Sequence, residues 1–215
     1  MKIHDCAQRS PEWHALRCGK VTGSAAHAIL KVRQKGSGEL AIRRDTRQRL
    51  IVERLTGIPS NDLPYLPKDM QHGVDCEPEA FAAYEAQGSL VMRVGFVEHD
   101  TLRAGCSPDG SINDFEGAIE LKCPSSAVHM EYLKADVIPE EYYAQLVHTL
   151  WITGAQWVDF CSFDPRYPAP LRLFQKRLER AAVDLTAYEL AVRLFLEEVD
   201  KEVHALQARA DMAVA

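Results

Sequence analysis

The sequence predicts one α/β domain, in which helices flank a central mixed β-sheet and a long helix ends the chain. Two observations carry this prediction. Short β-rich runs bounded by turn residues intermix with amphipathic helical stretches, which is typical of a sheet covered by helices. Two runs in the middle of the chain are close enough to form a hairpin, so antiparallel pairing is expected within the sheet. The length of 215 residues fits one large domain.

Helical signals dominate the first half of the chain. Three helices are predicted there, at residues 22–30, 40–55 and 77–88. Thr22 or Ser24 caps the first helix. Pro78 lies in the first turn of the third helix, and Gly88 follows its end. Two loops are predicted between these helices because glycine or proline interrupts them, at residues 31–39 and 57–69.

Strand signals begin near residue 90. Short runs rich in β-branched and aromatic residues lie at residues 90–99, 102–107, 117–123 and 156–164, with a further candidate at 170–178. Strong turn chemistry at Asp109-Gly110 and Glu116-Gly117 separates the second run from the third. These two runs form the expected hairpin.

The remaining helices are predicted at residues 125–135, at 140–154 and from about 179 to 208. Gly154 ends the second of them. In the last helix, apolar residues recur every seven positions between Leu178 and Leu206. This seam predicts packing on the protein's own sheet, and a subunit contact is the alternative.

Charge is distributed unevenly along the chain, whose net charge is −6. Residues 1–54 hold 12 lysines and arginines against 5 acidic residues, so this segment carries +7 and the remainder −13. A basic segment of this kind can face an anion while the acidic remainder holds cations. The alternative is an ordinary solvated helix surface at residues 41–54.

Several classes of protein are excluded by composition. No run of about 18 apolar residues exists, so no membrane span is expected. The N-terminus lacks the apolar core of a secretory signal, and a cytosolic protein is expected. None of the six cysteines forms a C-x-x-C pair, which argues against a zinc ribbon or an iron–sulfur cluster. We expect the cysteines to be small, mostly buried apolar residues, and we assign Trp13 and Trp157 to the core.

The segment "IELKC" at residues 119–123 carries the chemistry of interest. Its strict alternation predicts a strand with one buried face and with Glu120 and Lys122 together on the other. A hairpin brings Asp109 towards Glu120, and two carboxylates with the Leu121 carbonyl suit Mg²⁺. A neighbouring lysine can stabilise charge on a phosphorane or orient a metal-bound water. From these residues alone, a nuclease site and an exposed sheet face stay equally open.

Four blocks in order extend the pattern over nearly the whole chain: "QRSPEWHALRCGKVTGSA", "GVDCEPEAFAAYE", "CSPDG…ELKCP" and "YYAQLVHTLWITGAQWVDF". Together they resemble the lambda-exonuclease-like (YqaJ viral recombinase) branch of the PD-(D/E)XK nucleases. The resemblance implies a restriction-endonuclease-like core at about residues 70–165, within one nuclease domain that covers residues 1–215.

The resemblance also implies roles for individual residues. Asp109 and Glu120 bind the metal, with the Leu121 carbonyl beside them. Glu77 supplies a further ligand or holds a metal-bound water. Lys122 activates the water, and Gln145 positions the nucleophile or the lysine; the catalytic set is therefore Glu77, Asp109, Glu120, Lys122 and Gln145.

Other positions resemble a pocket for a terminal 5′ phosphate, formed by Arg17, Ser24 and Ser107. The sequence departs from the family at Val128, where the lambda enzyme has a further arginine for this phosphate. Lys20, His129 or Arg103 are the candidates to replace it, and the alternative is a weaker preference for the phosphate. Met70 lies near the position of the family's strand-separating wedge, although methionine is also a common core residue.

The function implied is a Mg²⁺-dependent 5′-to-3′ exonuclease, with Mn²⁺ able to substitute and with no need for ATP. It digests one strand of linear double-stranded DNA and leaves 3′ overhangs for recombination by strand annealing. A ring-shaped homotrimer, a single-strand annealing protein as partner and a phage or prophage origin in the cytosol of a bacterial host complete the expectation. The alternatives are a catalytically silent module that binds DNA ends, and a nuclease that acts as an endonuclease or on single strands.

Overall fold

The computed structural model describes residues 1–30, 39–60 and 68–214. The α-helices of this part are α1 (Pro11–Arg17), α2 (Gly23–Leu30), α3 (Ala41–Thr56), α4 (Lys68–Glu85), α5 (Ser126–Ala135), α6 (Glu140–Thr153) and α7 (Leu185–Val214). The strands are β1 (Lys2–His4), β2 (Met92–Arg93), β3 (Phe96–Glu98), β4 (Gly105–Cys106), β5 (Gly110–Ile112), β6 (Gly117–Lys122), β7 (Trp157–Phe163) and β8 (Leu173–Glu179). In the part of the chain described, no helix combines the length and apolarity that a membrane crossing requires.

The strands form two sheets. The larger has the order β2-β5-β6-β7-β8, with β6 parallel to β7 and every other pair antiparallel. Helices α5 and α6 make the crossover that a parallel pair requires. The smaller sheet has the order β1-β3-β4 and is antiparallel. The structure therefore confirms an α/β fold with a mixed sheet, flanking helices and a long C-terminal helix.

Strand β6 is buried on both faces. Ile119 and Leu121 pack with Phe81 and Tyr84 of α4 in one apolar cluster. The opposite face, which begins with Ala118, belongs to the main core under α2, α3, α6 and α7. The alternation of the strand was predicted correctly, but Glu120 is only 2 % exposed. The charged face is therefore covered by helices and is not an exposed sheet surface.

The predicted helix at residues 77–88 begins earlier than expected. Helix α4 starts at Lys68, and Pro78 lies inside it, not in its first turn. Proline is favoured at a helix start but does not force one, because a helix can continue through it with the loss of one hydrogen bond. The start of α4 also shortens the loop predicted at 57–69. Residues 31–38 and 61–67, which hold most of the two predicted loops, lie outside the described residues.

The predicted strand at residues 90–99 is divided between the two sheets. Gly95 separates β2 from β3, and a Cβ atom at this position would lie 2.5 Å from the carbonyl oxygen of His4. Glycine thus permits the close backbone approach at which the chain changes sheets. The turn expected at Asp109-Gly110 is also wrong, because Gly110 begins β5. The hairpin expected between residues 102–107 and 117–123 is wrong as well, because β4 pairs with β3 in the smaller sheet and the antiparallel partner of β6 is β5. The turn between β5 and β6 contains three consecutive residues with positive φ, namely Asn113, Asp114 and Phe115.

The C-terminal helix begins at Leu185 and not near residue 179, where β8 ends. The side chain of Asp184 accepts a hydrogen bond from the amide of Ala187 at 2.9 Å and caps the helix. The apolar seam packs through Val192, Phe195 and other residues within the core of the same chain, mainly against helices α2, α3 and α6. The predicted seam residue Leu206 is exposed.

The basic N-terminal segment is largely paired within the chain. Arg43 donates two hydrogen bonds of 2.8 Å to the carboxylate of Glu198 on α7. Arg47 contacts the same carboxylate, and Arg54 contacts Asp200. These arginines of α3 face the acidic helix α7, so their charge is not free to attract an anion. The unevenness of charge along the sequence is therefore compensated in three dimensions.

The six cysteines are free thiols. Cys76, Cys106 and Cys161 are buried, as expected of small apolar residues, and the other three are partly buried.

Candidate active site

The hairpin of β5 and β6 places the two predicted carboxylates beside each other. The amide of Asp109 donates to the carbonyl of Ile119 at 3.0 Å, which fixes the backbone of Asp109 against β6. The Asp109 carboxylate accepts a hydrogen bond of 2.7 Å from the amide of Leu121. Glu120 lies between these two contacts on the same strand. The aspartate is thus held by the backbone of the strand that carries the glutamate.

Glu120 is the centre of the arrangement. Its Oε1 atom accepts hydrogen bonds from Lys122 Nζ and, at 2.6 Å, from Gln145 Nε2. Its Oε2 atom is buried and has no hydrogen-bond partner. A buried carboxylate oxygen without a partner costs about 1–3 kcal/mol, and positions of this kind are accounted for by an ion or by function. Oxygen ligands of this type suit a hard divalent cation.

The charges at the site are strongly coupled. Burial, and next the Glu120 carboxylate, raise the pKa of Asp109 above its ordinary value. Burial opposes the charge of Lys122, but the carboxylates of Glu120 and Asp109 outweigh it and raise the pKa of the lysine. Lys122 is therefore a cation here and balances the charge of one carboxylate, while the raised pKa of Asp109 reflects the cost of a second negative charge beside Glu120. A divalent cation fits the remaining imbalance.

Glu77 lies on α4 at the edge of this group. Its carboxylate contacts the guanidinium of Arg93 at 2.6 Å and that of Arg9 at 3.9 Å. Its charge also contributes to the raised pKa of Asp109. Among the described residues, no three His, Cys, Asp or Glu side chains are grouped as a metal site. The structure thus brings Asp109, Glu120, Lys122 and Gln145 together and pairs Glu77 with arginines.

Arg93 is a further residue of this region, and it was not predicted from the sequence. It lies on β2, and its guanidinium stacks on the ring of Phe81 with 3.3 Å between the guanidinium carbon and the ring centroid. No sequence motif indicates this contact, because β2 and α4 meet only in the folded chain. Arg93 holds Glu77 in its present orientation.

A second polar group lies around Arg17. Its guanidinium donates to Ser107 Oγ at 3.5 Å and to Thr22 Oγ1 at 3.4 Å. The hydroxyls of Thr22 and Ser24 are 3.3 Å apart. Trp13, which was assigned to the core, donates from its indole to Ser107 Oγ at 2.9 Å, and its ring stacks on Arg17 at 3.9 Å. The three residues predicted to grip a phosphate are therefore neighbours, and Trp13 orients two of them.

Arg17 has the properties of an anion ligand. Within the described residues, no carboxylate lies within ion-pair distance of it. Burial, and next the charge of Arg49, lower its pKa to about 10, so it remains a cation at neutral pH. A partly buried guanidinium with hydroxyl partners only can bind an anion with little further desolvation.

The two polar groups are adjacent. A Cβ atom on Gly23, between Thr22 and Ser24, would lie 3.1 Å from Cγ of Gln145. Gln145 thus contacts Glu120 with its amide and the start of α2 with its aliphatic carbons. One glutamine connects the carboxylates with the hydroxyl and guanidinium group.

Three residues are candidates to replace the arginine that the lambda enzyme has at the position of Val128, and their contacts differ. Lys20 contacts Glu98 at 2.7 Å. His129 is fully buried and hydrogen-bonds to Ser162 and to the Leu171 carbonyl at 2.7 and 2.8 Å. Both are therefore engaged elsewhere, whereas Arg103 is exposed. Met70 lies on α4, and its side chain is outside the described residues.

Comparison with known proteins shows the family of the chain. A family model described as the YqaJ-like viral recombinase domain matches residues 12–156. The crystal structure of an alkaline exonuclease from Laribacter hongkongensis is similar, with 34 % identity over 95 % of this chain and 100 % of that chain and a TM-score of 0.83. The same values hold for that enzyme in complex with dAMP.

A phage-related exonuclease from Haemophilus somnus 129PT shares the fold, with a TM-score of 0.63. The two sequences are 14 % identical, and the match covers 87 % of this chain and 96 % of that chain. A comparison with curated proteins gave no match. The family model covers well over half of the chain, and the Laribacter structure matches over nearly its full length. The chain therefore belongs to the YqaJ-like viral recombinase family and is a nuclease.

Proposed function

We propose that this nuclease is a metal-dependent 5′-to-3′ exonuclease. It degrades one strand of linear double-stranded DNA and leaves 3′ single-stranded overhangs for recombination by strand annealing. One observation carries the proposal: Gln145 contacts both the Glu120 carboxylate and Gly23 at the start of α2, which lies beside the polar group around Arg17. The other oxygen of that carboxylate is buried and has no partner. A cation site and an anion site side by side suit the hydrolysis of a phosphodiester next to a terminal phosphate.

The residues that would hold Mg²⁺ are Asp109, Glu120 and the Leu121 carbonyl, with Glu77 as a further ligand. When bound, the metal supplies Lewis-acid stabilisation and lowers the pKa of a bound water. Mn²⁺ is expected to substitute because it accepts the same oxygen ligands. No ATP is required, since hydrolysis of the DNA backbone is itself favourable.

The side chains around Glu120 divide the remaining work. The ammonium of Lys122, held against Glu120, would orient the attacking water and balance the negative charge that grows on the phosphate. Gln145 holds the Glu120 carboxylate in one orientation, which keeps the lysine in place through the shared Oε1 atom. These contacts support the roles proposed for Lys122 and Gln145.

The polarity of digestion is assigned to the group around Arg17. Arg17, Ser24 and Ser107 would bind the 5′ phosphate of the strand to be degraded and so place the first phosphodiester at the carboxylates. The relative from Laribacter is an alkaline exonuclease and has been crystallised with dAMP. A deoxynucleoside monophosphate is the class of product that stepwise removal of nucleotides releases.

The assembly and setting are proposed by analogy with the lambda-exonuclease-like family. We propose a ring-shaped homotrimer that encircles DNA, which would keep the enzyme on its substrate without ATP. A single-strand annealing protein would take up the exposed strand, in the cytosol of a bacterium that carries the phage or prophage. The wedge role of Met70 and the extent of the domain over residues 1–215 are part of the same proposal.

The function is tested with linear duplex DNA and covalently closed circles, each with Mg²⁺ or with a chelator. We expect loss of linear DNA only, and only with the metal. Cleavage of closed circles would favour an endonuclease. The trimer is tested by mass in solution, where a mass near 24.1 kDa at working concentration would refute it.

A further inference from the structure

A small polar cleft contains a second arginine that the proposed phosphate site does not include. The cleft is lined by His14, Arg17, Cys18, Thr22, Arg49, Glu53 and Pro59. Arg49 comes from α3, whereas Arg17 comes from α1, so the two guanidiniums approach the cleft from different elements. Two like charges that line one cleft repel each other unless an anion lies between them.

Glu53 positions Arg49 but does not neutralise the cleft. The Glu53 side chain is 3 % exposed, and its Oε1 atom accepts from Arg49 at 3.2 Å. The same carboxylate also accepts from the amide of Gly19 at 2.7 Å and from that of Ser60 at 3.2 Å. Three donors therefore share one negative charge. The guanidinium of Arg49 keeps further N–H groups, and its side chain remains 28 % exposed.

Arg49 differs in this respect from other arginines on its helix. Arg43 and Arg47 are directed to the carboxylates of α7, and Arg44 pairs with Asp45 at the surface. Only Arg49, among these four, lines the cleft with Arg17. The cleft thus combines two cations with the hydroxyl of Thr22, which contacts Ser24 at 3.3 Å.

We propose that Arg49 is a specificity-determining residue, and that it and Arg17 together select a terminal phosphomonoester over an internal phosphodiester or a 5′ hydroxyl. This inference rests on the proposed function. A phosphomonoester carries close to two negative charges at pH 7 and above, whereas a phosphodiester carries one and a hydroxyl none. Two guanidiniums match the first of these ligands, and the planar fork of each suits phosphate oxygens.

The test compares full-length wild type with Arg49→Ala, Arg49→Lys and the control Arg44→Ala on blunt duplexes that carry 5′ phosphate or 5′ hydroxyl ends. Two ratios of the phosphorylated end to the hydroxyl end are measured. The first is the ratio of initial rates, and the second is the ratio of binding affinities, determined by fluorescence anisotropy in the presence of a chelator. We expect Arg49→Ala to lower both ratios by about tenfold or more, mainly through the phosphorylated end. Arg49→Lys should retain an intermediate ratio, and Arg44→Ala should match wild type.

A folded Arg49→Ala protein whose two ratios stay within about twofold of wild type would overturn the inference and leave the proposed function intact. An equal loss on both kinds of end would also overturn it, because a merely structural residue acts on both. A wild type that digests duplex ends without preferring the phosphate overturns it as well. Failure of wild type to degrade the 5′ strand at all would instead contradict the proposed function.

Discussion

The side-chain amide of Gln145 donates a hydrogen bond of 2.6 Å to the carboxylate of Glu120. Helix α6 thereby reaches the middle of the sheet and fixes a buried glutamate that also binds Lys122. The orientation of the carboxylate is set by two donors on one oxygen, and its other oxygen is left without a partner. In the proposed mechanism, this contact makes Gln145 a positioning residue.

Gln145→Ala is therefore expected to lower the rate of DNA hydrolysis by about ten- to a hundredfold, because Glu120 loses one of the two contacts that orient it. Initial rates on linear duplex would measure the effect. Gln87→Ala, a change of the same kind at an exposed position just after α4, is the control. Equal rates for both variants would show that the contact does not matter for the reaction.

Mg²⁺ alone is expected to stabilise the folded protein. A ligand that binds only the native state stabilises it by about 2.7 kcal/mol at a concentration one hundred times its Kd. The midpoint of thermal unfolding should rise with Mg²⁺ for wild type and should stay nearly constant for Asp109→Asn, which has lost a proposed ligand. The same rise in both proteins would place the metal elsewhere.

His148 predicts a specific dependence of stability on pH. It is fully buried between the Tyr188 hydroxyl at 2.7 Å and the Gly105 carbonyl at 2.9 Å. The carbonyl can only accept, so Nε2 carries the proton and Nδ1 accepts from the tyrosine. Burial lowers the pKa of His148 from 6.5 to about 4.

Stability falls as the pH falls, because the unfolded chain binds a proton at His148 at a higher pH than the folded chain does. The stability due to neutral His148 is present above pH 6.5 and is lost as the pH falls towards 4, in total by about 3 kcal/mol. Urea unfolding at a series of pH values would measure this loss. The variant His148→Gln should lose less stability over the same interval, and an identical pH profile would contradict the assignment.

The arginines of α3 that face α7 are expected to contribute to stability and not to DNA binding. Arg43→Ala should lower the free energy of unfolding by about 1 kcal/mol or less, and less still at high salt, because its partner Glu198 is 40 % exposed. Its affinity for duplex ends should stay within about twofold of wild type. A large loss of affinity would show that the pairing with α7 does not remove this arginine from DNA binding.

Much of the fold could be predicted from the sequence where a pattern is local. The alternation around Glu120 gave the correct strand and its apolar face, although both faces are buried, and Gly154 gave the end of α6. Strand β5 was missed because it has three residues and begins with the glycine of a dipeptide typical of turns, Asp109-Gly110. Pro78 gave the wrong start for α4, because a proline inside a helix has the same local signature as a proline at its beginning.

The site was predictable in part for a similar reason. Spacing and family resemblance placed Asp109, Glu120 and Lys122 together, and the structure shows them in contact or joined through the backbone. The pairing of Glu77 with Arg93 was not predictable, because the two residues lie on elements that meet only in the folded chain. The same holds for Arg49, whose role depends on the approach of α3 to α1.

The central claim is tested most directly by following both strands of one linear duplex with a single 5′ phosphate, in Mg²⁺, with wild type and Lys122→Ala. We expect wild type to release mononucleotides from the phosphorylated 5′ end and to leave the complementary strand intact. The variant should be slower by about a hundredfold or more, since it lacks the group that we propose orients the water and balances charge. Digestion from 3′ ends, or full activity of Lys122→Ala, would contradict the account.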